Sequence, residues 1–150
     1  MTQELDDSPR HQCYGCGALN PEGLHVEFEV DGPTVSGVFH PRQVHQGFPG
    51  VAHGGIGATV MDEAMGWAMY AAGAWAMTAR LEVRYRRPLP LDQAITVTAS
   101  VTKDRGKRLE AKAELRDESG KLLAQATGLF LRMPDQQQRE LNEMFLGAAG

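Results

Sequence analysis

The stretch IGATVMDEAMGWAMY, residues 56–70, decides the fold. Ile56, Val60, Ala64 and Trp67 recur at helical spacing and form one stripe, while Met61, Met65, Ala68 and Met69 fill most of the remaining circumference. The stretch lies between Pro49 and Pro88, an interval with no proline to break a helix. A helix that is apolar on nearly every side has to be enclosed. A bilayer is the wrong enclosure, because Asp62 and Glu63 sit in the middle of the stretch, where each would cost several kcal/mol in lipid. A buried helix of a water-soluble domain, with no membrane span, is expected.

What encloses it is written on either side. Leu24, Val26, Phe28 and Val30 alternate with polar residues, and Asp31-Gly32 turns the chain into a second run, Thr34 to Phe39, which predicts a hairpin. Leu81 to Tyr85, Ile95 to Thr102 and Leu109 to Arg116 alternate in the same way, so one face of the sheet is wet. Leu122 to Leu131 is apolar at both parities, as expected of a strand covered on both sides or lying centrally. The connections at Arg105-Gly106 and Asp117 to Gly120 are too short for a parallel crossover, so the last three strands should form a meander. Six strands and one long helix predict an α+β fold in which an antiparallel sheet wraps the helix. Residues 1–10 are expected to be disordered, and residues 135–150 to form a short terminal helix over Asp135 to Leu146 or a tail.

The chain has 150 residues, 42% apolar and 23% charged, which suits one domain over residues 1–150 with a core that needs neither disulfide nor metal. A net charge of −4 argues against a general nucleic-acid partner. Met1 to Arg10 is acidic and polar, with no basic and then apolar segment to direct export, so a cytoplasmic location is expected.

Chemistry concentrates at the helix. His53-Gly54-Gly55 stands at its start, where backbone N–H groups without helical partners can meet an incoming oxygen; the alternative is that the glycines only allow a tight turn and close packing. Asp62 lies among Val60, Met61, Ala64 and Met65, where an ionised carboxylate must be used or paired; a hydrogen-bonded core carboxylate is the alternative. Glu63 points about 100° away around the helix and reads as a partner for an Arg or a rim carboxylate. Gly54 and Asp62 are eight residues apart, hence about 12 Å along the axis, too far to act on one carbonyl group. If both serve one site, they come from different chains, and antiparallel pairing of two such helices across a twofold axis would make two equivalent sites.

The runs Gln46 to Gly55, Met61 to Gly66, and Thr78 to Leu81 through Tyr85 to Pro90 resemble the PaaI-like, THEM4-type branch of the hotdog-fold acyl-CoA thioesterases, over roughly residues 13 to 132. The resemblance implies a hotdog fold, an acyl-CoA substrate with no separate cofactor, and an obligate homodimer or a dimer of dimers. It implies that the Gly54 N–H polarises the thioester carbonyl. Asp62 of the facing subunit attacks or activates water, Thr78 orients that water, and His53 stands beside the donor. Gly55 and Glu63 fall at the substrate-binding edge. Some relatives carry an Asn before the His-Gly-Gly, where this chain has Gln46. A non-catalytic acyl-CoA or lipid-binding protein on the same fold is the main alternative, and an enoyl-CoA hydratase a weaker one.

Eight of the fifteen basic residues fall in two segments, Arg80 to Arg87 and Lys103 to Arg108, and Arg86, Arg87 and Arg108 are the candidates for the phosphates of coenzyme A. Cys13 and Cys16 supply half of a zinc ligand set that His11 and His25 could complete, but the spacing is not a standard one; free thiols and no metal are expected.

Overall fold

In a computed structural model, residues 11–146 and the backbone of Gln3–Glu4 are described. Strands β1 (Gln3–Glu4), β2 (Glu27–Asp31), β3 (Thr34–Phe39), β4 (Gln46–Phe48) and β5 (Val51–Ala52) precede helix α1 (Gly54–Ala71). Strands β6 (Ala76–Tyr85), β7 (Ile95–Asp104), β8 (Arg108–Arg116) and β9 (Leu122–Arg132) follow it, with helix α2 (Asp135–Leu146) last. The main sheet has the order β1-β2-β3-β7-β8-β9-β6, antiparallel throughout, and β4-β5 form a small separate ribbon. All six expected strands are present, the β7-β8-β9 meander included. The expected α+β architecture, a sheet wrapped around one long helix, is therefore what the chain adopts. No described helix is long and apolar enough to cross a membrane.

The sheet curls around α1, which touches β2, β3, β6, β7, β8 and β9. Val60, Met61, Ala64, Met65, Ala68 and Met69 are buried against Val35, Ile95, Val97, Leu109, Leu115 and Phe130. Each large side chain enclosed this way contributes about 1.5–3 kcal/mol. Enclosure is one-sided, however, contrary to the expectation of a helix covered all round: Ala58, Thr59, Asp62, Glu63, Gly66, Trp67 and Tyr70 are half-buried, and His53 to Gly55 are exposed. A single sheet covers one side of a helix, and the remainder is left for other partners.

Three further differences have local causes. The first expected strand begins at Glu27 rather than Leu24, because His25 takes a left-handed conformation (φ 52°) and the Leu24 and Val26 N–H groups bond the carbonyls of Tyr14 and Gly15 at 2.8 and 3.0 Å. Leu24 and Val26 still reach the core. β9 lies inside the sheet, between β8 and β6, yet it is not covered on both faces: Leu123, Ala124, Ala126, Gly128 and Phe130 are buried while Leu131 is exposed. The strands β1, β4 and β5, of two or three residues each, are too short to show a period. The disorder expected over residues 1–10 lies outside the described residues except at Gln3–Glu4, which pair with β2.

The β6 edge of the sheet is left open. Seven of its ten residues, Met77, Thr78, Ala79, Arg80, Glu82, Arg84 and Tyr85, are exposed along a strand with one side unpaired among the described residues. Met65 is fully buried between α1 and the sheet, so Met65→Ala is expected to destabilise the fold by about 2–5 kcal/mol in urea unfolding.

Candidate active site

The chain enters α1 through a fixed turn. The His53 N–H donates to the His45 carbonyl at 2.7 Å, and the His53 ring, at the N-cap, accepts the Gly55 N–H on Nδ1 at 2.9 Å. The Ile56 N–H donates to the His53 carbonyl at 2.9 Å. Of the opening N–H groups, that of Gly54 has no acceptor among the described residues, and the exposed Gly54 stands at the positive end of an 18-residue helix. Gly47 lets β4 pass close by, since a Cβ there would stand 3.0 Å from the His53 Cα.

Tyr85, at the end of β6, donates its hydroxyl to the Gly54 carbonyl and so ties the helix start to the sheet. Burial raises the Tyr85 pKa, which keeps the hydroxyl a donor. The sequence places Tyr85 only on the apolar parity of a strand, and its hydroxyl contact has no signature in the periodicity. Beside it opens a cleft of about 640 Å³, walled by Gly47, Phe48, Val51, His53, Gly54, Tyr85, Arg86 and Arg87 among others. That volume falls within the range of small-molecule sites. The Arg86 and Arg87 N–H groups both donate to the Leu123 carbonyl, at 2.8 and 3.0 Å, which fixes the backbone, while neither guanidinium is in an ion pair among the described residues.

Asp62 lies elsewhere. The Thr78 hydroxyl donates to its Oδ1 at 2.7 Å. A register shift between Thr78 and Arg80 leaves Ala79 without a partner on β9, and this bulge stands where Thr78 turns to the helix. Asp62 is half-buried rather than enclosed, and neither it nor Thr78 lines the cleft beside Gly54. One chain thus carries the two halves of the expected constellation on separate parts of its surface, as their eight-residue spacing requires.

The other candidates divide. Gln46 is exposed on β4. Arg108 pairs with Leu131, which pairs with Met77, so it sits at the far end of the sheet from Arg86 and Arg87. Glu63 finds no Arg; its carboxylate turns toward Cys13, whose thiol donates to Oε1 at 3.2 Å. Desolvation first, and then the charge of Cys13, push Glu63 up to about 8. Donation by the Cys16 thiol holds Cys13 well below its usual range and raises Cys16 in turn. His25 does not join this group; its Nε2 meets the Asn20 carbonyl.

With this geometry, the chain matches the family model of the thioesterase superfamily over residues 49–124, which span the helix start, Asp62, Thr78 and the Arg pair. It is 34% identical over 117 residues to the acyl-coenzyme A thioesterase THEM4 of Bos taurus, an alignment that covers 75% of this chain and 48% of that protein. The chain spans about half the length of that relative. Its fold is similar to the crystal structure of the thioesterase superfamily protein RHA08564 (TM-score 0.71, 31% identity, 75% of this chain and 56% of that one). It is also similar to the PaaI protein of E. coli from the phenylacetic acid degradation operon (TM-score 0.70, 19% identity, 74% and 81%). These neighbours establish the hotdog fold that the sequence motifs suggest.

His45 supports the whole arrangement through its carbonyl. Its ring is buried against Phe39 (centroids 5.2 Å apart) and accepts the Arg42 N–H on Nδ1 at 2.9 Å. Burial, and then the Arg42 charge, lower its pKa below the ordinary 6.5. The native state therefore binds fewer protons at this ring than the unfolded chain does. Stability present above about pH 6.5 is lost as pH falls through the folded pKa. In melting curves against pH, His45→Gln is expected to flatten that acid-side loss.

Proposed function

The chain belongs to the thioesterase superfamily, and on that premise we propose that it is an acyl-CoA thioesterase, with each active site built from two subunits of a homodimer. Carbonyl polarisation falls to the free Gly54 N–H, and attack to Asp62 of the facing subunit. Antiparallel pairing of the open β6 edges about the strand midpoint would set Ala76 opposite the partner subunit's Tyr85. The Asp62–Thr78 pair of one protomer would then approach the other's Gly54 and Tyr85. Two strands also lose their unpaired edges together.

In the reaction, the thioester oxygen takes the Gly54 N–H as the carbonyl carbon becomes tetrahedral, where a donor of this kind is worth about 2.7–4 kcal/mol. Thr78 occupies Oδ1 of Asp62, and Oδ2 is left to take a proton from water or to attack the carbon. Collapse breaks the C–S bond, and the thiolate leaves and takes up a proton; where Asp62 itself has attacked, water then hydrolyses the Asp62 anhydride and restores the carboxylate, so by either route the products are the free acid and coenzyme A. A thiolate leaves readily, so no strong general acid is needed. Arg86 and Arg87, in no ion pair among the described residues and lining the cleft, offer cations to the coenzyme's phosphates. The name of the bovine relative, an acyl-coenzyme A thioesterase, supports this substrate class.

The observation that carries the reading is the Thr78 to Asp62 hydrogen bond of 2.7 Å beside an open strand edge, away from the free Gly54 N–H. The test is thiol release from a panel of acyl-CoAs. Wild type is expected to turn over at least one of them, and Asp62→Asn to be slower by about 10²–10⁴-fold with the dimer intact. Tight binding of intact acyl-CoA without turnover by wild type, or an unaffected Asp62→Asn, would contradict it.

A further inference from the structure

Cys13 and Cys16 belong to a turn that the mechanism does not use, and the turn is built for more than packing. The Gly17 N–H donates to the Cys13 carbonyl at 2.8 Å, and the Leu24 and Val26 N–H groups hold Tyr14 and Gly15 from the other side. Glycine is required at two places: a Cβ on Gly17 would lie 2.3 Å from the Cys13 nitrogen, and one on Gly15 would lie 2.6 Å from Cγ of Glu63. The turn is thereby pressed against α1 with Glu63 facing both sulfurs. The ligand atoms of Cys13, Cys16 and Glu63 all lie within 4.8 Å of one another.

Cys16 is buried, while Cys13 and Glu63 are half-buried. Three acidic groups thus converge with no Lys, Arg or His in an ion pair with Glu63 among the described residues. The Cys13 thiol already donates to Oε1 of Glu63 at 3.2 Å, so sulfur and carboxylate face each other across the turn. Such a convergence is completed by a cation. We propose that Cys13, Cys16 and Glu63 bind a zinc-class divalent ion that staples the Cys13–Gly17 turn to α1 at the residue next to Asp62.

Two thiolates and one carboxylate form a donor set for a borderline-soft dication rather than for Mg²⁺ or Ca²⁺. Tetrahedral coordination with ordinary Zn–S and Zn–O lengths sets the sulfurs roughly 3.8 Å apart and each sulfur roughly 3.6 Å from the oxygen. The present Cys13 to Glu63 separation of 3.2 Å has to open by only a few tenths of an ångström. Water or a further residue fills the fourth position. A Cys13–Cys16 disulfide would leave Glu63 facing sulfur without a cation, which is why the metal is the better occupant. The sequence alone offers only His11 and His25 as further ligands and leads to the expectation of free thiols; the third donor, fifty residues from Cys13, becomes visible only in the fold.

The test uses the full chain, reduced, stripped with a chelator and reloaded with Zn²⁺ or Co²⁺ alone. Expected are one bound zinc per chain after dialysis, a near-ultraviolet thiolate-to-cobalt charge-transfer band, and a rise in melting temperature on adding zinc. Cys13→Ser and Cys16→Ser should lose the band, and Glu63→Gln should weaken binding by at least roughly tenfold. Cys13→Ser, at the half-exposed position, keeps the test readable should the Cys16 variant fail to fold. The proposal is overturned if reduced wild type takes up no stoichiometric metal, if the variants bind it as well as wild type does, or if a Cys13–Cys16 disulfide forms in preference to metal uptake.

Discussion

The side of α1 that carries Val60, Met61, Ala64, Met65, Ala68 and Met69 cannot remain in water, and its cover is one curled sheet. A sheet reaches only one side of a helix. The remaining side, with the helix start and Asp62, is therefore left at the surface of the chain. Each functional feature follows from that half-cover. Among the described residues the Gly54 N–H meets no acceptor, and Asp62 is only half-buried because the described sheet ends at β6 beside it.

A second constraint is the rise of the helix itself. Eight residues separate Gly54 from Asp62, about 12 Å along the axis, and no side-chain rotamer closes that gap. The chain carries the helix-start N–H of Gly54 with its cleft and Arg pair at one place, and the Asp62 carboxylate with the Thr78 hydroxyl at another. The β6 edge lies between them in the sheet, and the homodimer we propose would pair there. Covering that edge also shields Met77 and the half-buried Leu81 and Val83.

Much of this was legible in the sequence because it rests on period. The helix could be read from Ile56 to Tyr70 and the strands from their alternation, since burial on one face writes a pattern of 3.6 or 2 into the chain. The Thr78 to Asp62 contact could be expected only from motif resemblance, because a bulge at Ala79 breaks the alternation just there. Features made by single contacts between distant segments left no trace. Tyr85 reads as an apolar strand residue, His45 belongs to no periodic run, and Glu63 looks like a rim carboxylate until the Cys13 turn folds onto it. Leu24 to Val26 misled in the opposite sense: alternation persists there because both apolar residues reach the core, although His25 turns the backbone out of the strand.

Whether one active site draws on two chains is measured directly by mixed dimers. Gly54→Pro deletes the N–H at a position that tolerates proline, because it is the first residue of the helix and the preceding His53 is already extended (φ −59°, ψ 135°). Combined in one dimer, a Gly54→Pro chain and an Asp62→Asn chain place both defects in one site and leave the other site whole. Each variant alone should be nearly inactive in thioester hydrolysis. With sites shared between chains, the mixed dimer recovers about half of the wild-type rate, one intact site of two. A mixed dimer as inactive as its parents would show that Gly54 and Asp62 act within one chain, and would contradict the account.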